Sequence, residues 1–147
     1  MAFPVIPQNL SIMAMRSSGY RDSAHALAEL IDNAIQAGQE LGRTTQVELI
    51  CVDEASTEGT RKRVSRIGVY DNAVGMDSGT LRKALQFGNG SRLDPKDQKG
   101  IGKFGMGLPN SSISQCKRVD VWSWQNGNVL HTFLDIEMIQ KGTMIEV

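Results

Sequence analysis

The residues best suited to chemistry in this chain fall in three places. The stretch FGNGSRLDPKDQKGIGKFGMG (87–107) is too rich in glycine for any regular element. Gly100, Gly102, Gly105 and Gly107 let backbone N–H groups turn toward one point without side-chain obstruction, and Lys103 adds a mobile positive charge. A helix expected just after them would contribute its first-turn N–H groups and its dipole, which favour an anion. That combination suits phosphate binding; the plain alternative is a flexible surface lid with no ligand. Asp71 ends an apolar strand (Ile67, Val69) and is followed by NAVGM. It could accept a hydrogen bond from an exocyclic amine in an apolar pocket, with Met76 against a flat ring and Gly75 permitting close approach or a positive φ. An aspartate at a strand end also commonly caps a turn. The third place is AELIDNAIQAGQ (28–39), the middle of an amphipathic helix in which Glu29, Asn33 and Gln36 interrupt an apolar run on one face. Such a line faces either solvent or a polar cavity.

The glycine loop contains GIGKFG (100–105), a match to G-x-G-x-x-G that is weak alone. A dinucleotide-binding reading needs a strand immediately before it, where this chain has DPKDQK. A protein-kinase reading needs H-R-D and D-F-G motifs downstream, and a Walker loop needs G-x-x-x-x-G-K-[ST]; the chain has none of these.

The elements that must position these residues are legible from patterning. Residues 1–22 form a mixed arm holding at most one short helix. Asp22 or Ser23 caps a helix that runs to about Leu41 and stops at Gly42, with Leu27, Ile31, Ala34 and Ile35 as its apolar stripe. Strands are expected at 44–54 and 66–72 around a polar turn at 56–63. A short helix capped by Asp77 or Ser78 should run to about Gln86, and another should span 108–115, with Pro109 tolerated in its first turn. Strands follow at 118–124, 128–139 and 142–147, the first two joined by a hairpin at Gln125-Asn126-Gly127. This order predicts an α+β layer with helices on one face of a mixed sheet rather than a doubly wound nucleotide fold.

Taken in order, the three places and the last strand resemble the GHKL ATPases: gyrase B subunits, heat-shock chaperones, histidine kinases and MutL. ELIDNAIQA (29–37) is similar to the N-box E-x-x-x-N-x-x-D-A, DNAVGM (71–76) to the first glycine box, GKFGMG (102–107) to the second, and GTMIEV (142–147) to the late G-T strand. One box is a weak signal; four in order over 23–147 are specific. AELIDNA, FGNGS and GKFGMGL look closest to MORC-type ATPases and their bacterial relatives. The resemblance implies a two-layer α/β sandwich of the Bergerat type, with a mostly antiparallel mixed sheet, that binds ATP with Mg²⁺ and hydrolyses it. It implies Glu29 as the general base on the attacking water and Asn33 as the Mg²⁺ ligand. Asp71 would accept from the adenine amino group, and Gly75 and Met76 would shape the adenine pocket. Gly100, Gly102, Lys103, Phe104, Gly105, Met106 and Gly107 would surround the phosphates, and Thr143 would join the water network around Asp71. Histidine kinases usually replace the N-box glutamate; its presence here favours hydrolysis over phosphotransfer to histidine. Gln36 stands where the pattern usually has aspartate, and Ala73 replaces the first glycine of D-x-G-x-G, which leaves a non-catalytic interaction module as the alternative.

Composition sets outer limits. Sixteen basic and sixteen acidic residues cancel, so charge gives no indication of nucleic acid or an anionic membrane. The apolar runs are too short to span a bilayer, and MAFPVIPQNL lacks the features of a secretory signal. Cys51 and Cys116 sit singly, and His25 and His131 are isolated without metal-ligand spacing, which suits reduced thiols in a cytoplasmic protein. The chain reaches only to the G-T stretch. Related proteins continue into a transducer domain and dimerise with ATP, so a C-terminal domain and ATP-dependent homodimerisation are the expected partners, with a lid at 87–107 gating them.

Overall fold

The computed structural model describes residues 12–14, 16–17, 20–39, 41–55, 62–86 and 107–147. The long helix α1 spans Ser23–Gln39. Asp22 caps it, its Oδ1 accepting from the His25 backbone N–H at 3.0 Å. After it come the strands β1 (Val47–Ala55) and β2 (Lys62–Asp71), paired antiparallel from Val47↔Asp71 to Ala55↔Lys62. A bulge next to Val52 is closed by the Ser65 hydroxyl, which donates to the Val52 carbonyl at 3.1 Å. Helix α2 (Ser78–Leu85) starts under Asp77, whose carboxylate accepts from the Thr80 N–H at 2.9 Å and from its hydroxyl at 3.0 Å. Those bonds hold the Asp77 carboxyl below its ordinary pKa. Helix α3 spans Gly107–Gln115. Strands β3 (Arg118–Gln125) and β4 (Asn128–Asp135) then form a second antiparallel hairpin. Its two-residue turn has positive φ at both Asn126 (52°) and Gly127 (78°), the mirror-image turn that matches strand twist.

The class is α+β, as patterning implies, and every observed strand pairing is antiparallel. Among the described residues the strands pair as two separate hairpins rather than as one mixed sheet. Tyr70 of β2 meets Trp124 of β3 edge-on with ring centroids 6.1 Å apart, which brings the hairpins side by side. Ile12, Leu85, Ile113, Leu134 and Ile136 make the core, so α2, α3 and β4 close around one apolar centre. Among the described residues, no helix is long and apolar enough to cross a membrane.

Two expectations are corrected. The first concerns the buried face of α1. Of the expected stripe only Ala34 is buried, together with Ala26 and Gly38, whereas Ile35 is 44% exposed and Leu27 and Ile31 are only half-buried. Small side chains admit close neighbours: a methyl group on Gly38 would overlap the Thr45 hydroxyl. Helix α3 packs antiparallel along α1, with the Ser23 hydroxyl donating to Gln115 Oε1 at 2.6 Å at one end. The second concerns the C-terminal strand at 142–147, which is absent. Asp135 ends β4 by accepting from the N–H groups of Glu137 (2.9 Å) and Met138 (3.1 Å), and the short helix α4 (Ile136–Gln140) follows. Gly142, at φ 71°, then turns the chain back so that the Thr143 N–H reaches the Met138 carbonyl at 2.9 Å.

Leu85 is 0% exposed, so Leu85→Ala should cost about 2–5 kcal/mol of unfolding free energy. Ile145 is 90% exposed, and Ile145→Ala should stay within about 0.5 kcal/mol. Denaturant unfolding of both variants checks the placement of the core.

Candidate functional site

Glu29 and Asn33 project from adjacent turns of α1, and both are half-buried. The Glu29 side chain lies directly over Gly107, the first residue of α3. A methyl group there would overlap Glu29 Oε1 and sit 3.2 Å from its Cδ. Only glycine leaves room for the carboxylate at this point. The first-turn N–H groups of α3 lack intrahelical acceptors, so the position favours negative charge. Tyr20, which patterning did not single out, is a neighbour. Burial pushes its phenol above the ordinary pKa, and the negative charge of Glu29 adds to the shift. One turn into α3, Asn110 Oδ1 is buried without a hydrogen-bond partner among the described residues. The serines beyond it are satisfied locally: Ser111 donates to the Leu108 carbonyl at 3.1 Å and Ser114 to the Ser111 carbonyl at 2.8 Å.

Asp71, at the end of β2, is half-buried, and its Oδ1 accepts from the Ala73 N–H at 2.9 Å. The turn-capping role is therefore real for one carboxylate oxygen, while Oδ2 has no partner among the described residues. Asn72 anchors the other side of this turn. It accepts from the Gln46 N–H at 2.8 Å, donates to the Thr44 carbonyl at 3.3 Å, and its own carbonyl accepts from Arg43 at 2.9 Å. Gly75 sits at φ 70°, and a methyl group on it would overlap the Trp124 carbonyl oxygen. The next residue, Met76, donates its N–H to the Ser123 hydroxyl at 2.6 Å, and Gln125 Nε2 donates to the carbonyls of Val74 (3.4 Å) and Gly75 (3.3 Å). Nothing in the local patterning marks Asn72, Ser123 or Gln125, because each acts on a segment distant in sequence.

The structure thus brings Glu29 to Gly107, and it fixes Asp71, Gly75 and Met76 in one short loop held against β3. Helix α1 also touches both strands of the first hairpin. Thr143 is exposed, and its hydroxyl donates to the Met138 carbonyl at 3.1 Å, so it lies on the turn after α4 and not on a strand behind Asp71. Gly100, Gly102, Lys103, Phe104, Gly105 and Met106 lie outside the described residues, as does nearly all of the lid stretch. No group of three or more His, Cys, Asp or Glu side chains able to cage a metal occurs among the described residues. A Mg²⁺ ion carried by phosphates needs only one or two protein oxygens and keeps several waters. The Asn33 amide oxygen fits that role.

A family model described as histidine kinase-, DNA gyrase B- and HSP90-like ATPase matches residues 20–147, most of the chain. No curated protein matches it.

The two glycines should respond differently to a methyl group. Gly75→Ala should lose about 1–2 kcal/mol from the left-handed backbone alone, before the overlap with Trp124 is counted. Gly107→Ala overlaps the mobile end of a flexible side chain, so stability should stay within about 1 kcal/mol while the Glu29 carboxylate moves off the head of α3. Denaturant unfolding, together with the carboxyl carbon shift of Glu29 by NMR, checks both.

Proposed function

The chain belongs to the family of histidine kinase-, DNA gyrase B- and HSP90-like ATPases, which makes it a GHKL-type ATP-binding domain, and from that premise we propose that it hydrolyses ATP with Mg²⁺, using Glu29 as the general base. The observation that carries this reading is the Glu29 carboxylate lying over Gly107 at the head of α3. A phosphate held by the first-turn N–H groups of α3 would lie beside that carboxylate, which would orient a water and take its proton at a carboxylate oxygen. Asn33, one turn along α1, offers its amide oxygen to the metal. Mg²⁺, when bound with the nucleotide, shields the phosphate charge and orders the triphosphate.

At the other end of the nucleotide, Asp71 accepts from the adenine amino group through Oδ2. Its Oδ1 stays on the Ala73 N–H and fixes the orientation of the carboxylate. Gly75 and Met76 form the wall beside the purine. Gly102, Lys103 and Gly105, with Gly100, Phe104 and Met106, are assigned to the phosphates on their motif alone. The 87–107 stretch is assigned on the same ground as the nucleotide-dependent lid. Thr143 has no role in this reading, since its hydroxyl serves the turn after α4. The retained glutamate supports hydrolysis over transfer to a histidine, and the N-box and second glycine box support kinship with MORC-type ATPases. The unpaired Cys51 and Cys116 support a reducing, cytoplasmic setting. A transducer-type domain and a second copy of the protein are the partners assigned by the same kinship.

Two variants test the assignments. Asp71→Asn should weaken Mg·ATP binding at least about tenfold, as expected for a lost hydrogen bond to a charged acceptor. Calorimetry giving equal affinities removes the adenine role. Glu29→Gln should retain ATP affinity and lower single-turnover hydrolysis by about 10²–10⁴-fold. Unchanged turnover would show that Glu29 is not the base.

A further inference from the structure

The wall assigned to the purine is Gly75 and Met76, and neither they nor the adjoining Val74 belong to the apolar core built on Leu85 and Ile113. What holds it is β3. Ser123 and Gln125 are two apart on that strand and so share one face. Between them they engage three consecutive backbone groups of this stretch: Gln125 Nε2 donates to the Val74 and Gly75 carbonyls, and the Ser123 hydroxyl accepts the Met76 N–H at 2.6 Å. The residue between them, Trp124, presents its carbonyl against Gly75 so closely that no side chain fits there. Ser123 is 3% exposed, so water has little room to replace its hydroxyl if it is removed.

The geometry points to Ser123 and Gln125 as positioning residues that set the purine wall, and so the affinity for the base end of the nucleotide, without touching the nucleotide themselves. The assignment rests on the ATP-binding reading above. Ser123 dominates, because its bond is short and buried, whereas the two Gln125 bonds are long. Their effect should be confined to the base. The phosphate end is organised by α3 and the Glu29–Gly107 contact, which neither residue meets. A wall that loosens therefore weakens ATP and ADP by the same factor and leaves their affinity ratio unchanged. General destabilisation would lower the melting temperature without that signature.

Isothermal titration of the full chain with Mg·ATP and Mg·ADP, well below the melting temperature, tests this. Ser123→Ala should weaken both nucleotides about three- to tenfold, the equivalent of one lost buried hydrogen bond, with the ATP-to-ADP ratio as in wild type. Ser123→Thr, which keeps the hydroxyl acceptor, should restore both. Gln125→Ala should give a smaller loss with the same constant ratio. It also decides the matter if Ser123→Ala fails to fold, since Gln125 is only half-buried. Wild-type affinity in both alanine variants overturns the positioning role, and so does a loss that falls on ATP but spares ADP. Failure of the wild-type chain to bind either nucleotide removes the ATP-binding reading itself, and the positioning role falls with it.

Discussion

The contact on which the site depends is a carboxylate resting where a side chain is missing. Glu29 reaches the head of α3 because Gly107 has no Cβ, and α3 lies along the N-terminal part of α1, its other end tied by the Ser23 hydroxyl to Gln115. Two helices that approach closely leave little space for large apolar residues between them. The α1–α3 seam therefore does little of the apolar packing. That falls to Leu85, Ile113, Leu134 and Ile136 on the other side of α3. One helix separates the two functions: its first turn faces the carboxylate, and its buried Ile113 holds the fold.

The second wall of the site is built differently. The loop after β2 has Asp71 and Asn72 turned inward on its own backbone and on the 43–46 segment. The chain then runs along β3, which it contacts through hydrogen bonds rather than apolar burial. β3 has two distinct faces. Ser123 and Gln125 face the loop, while Trp122 and Trp124 stand half-exposed on the other side, Trp122 stacked on His131 and Trp124 edge-on to Tyr70. On that outer face, Arg118 pairs with Asp120 and Asp135, and His131 with Asp120. The charges among the aromatic rings are thus met within the same hairpin.

Much of this was legible in the sequence where one segment carries its own instructions. The start of α1 under Asp22, the Asp77 cap, Pro109 in a first turn and the Asn126–Gly127 hairpin all rest on local chemistry, and the structure shows each of them, while α1 ends at Gln39, before the expected Leu41. The motif order likewise led to the family. The failures were of two physical kinds. The apolar stripe of α1 is Leu27, Ile31, Ala34 and Ile35, yet of these only Ala34 is buried, alongside Ala26 and Gly38, and Gly38 lies so close to Thr45 that no larger side chain fits there. The last strand was expected from β-branched and apolar residues in GTMIEV, yet Asp135 and Gly142 had already set a helix and a reversal there. Ser123, Gln125 and Asn72 were not legible at all, because their partners lie 26 to 51 residues away.

This difference in construction bears on what each half of the site can tolerate. An apolar core spreads its energy over many weak, non-directional contacts. A wall fixed by hydrogen bonds has few, directional attachments. Each contributes only about 1 kcal/mol net, but leaving its buried partner unmet costs about 1–3 kcal/mol. The loop at 71–76 is held by such bonds at both ends: the Asn72 set on one side, Ser123 and Gln125 on the other. Between them Gly75 adopts a backbone that other residues resist. A loop pinned in this way has one low-energy shape, so it can present Asp71 and the adjoining backbone to a flat ring without reorganising on binding. The site gains its precision from the attachments of its backbone and its charge placement from an absent side chain.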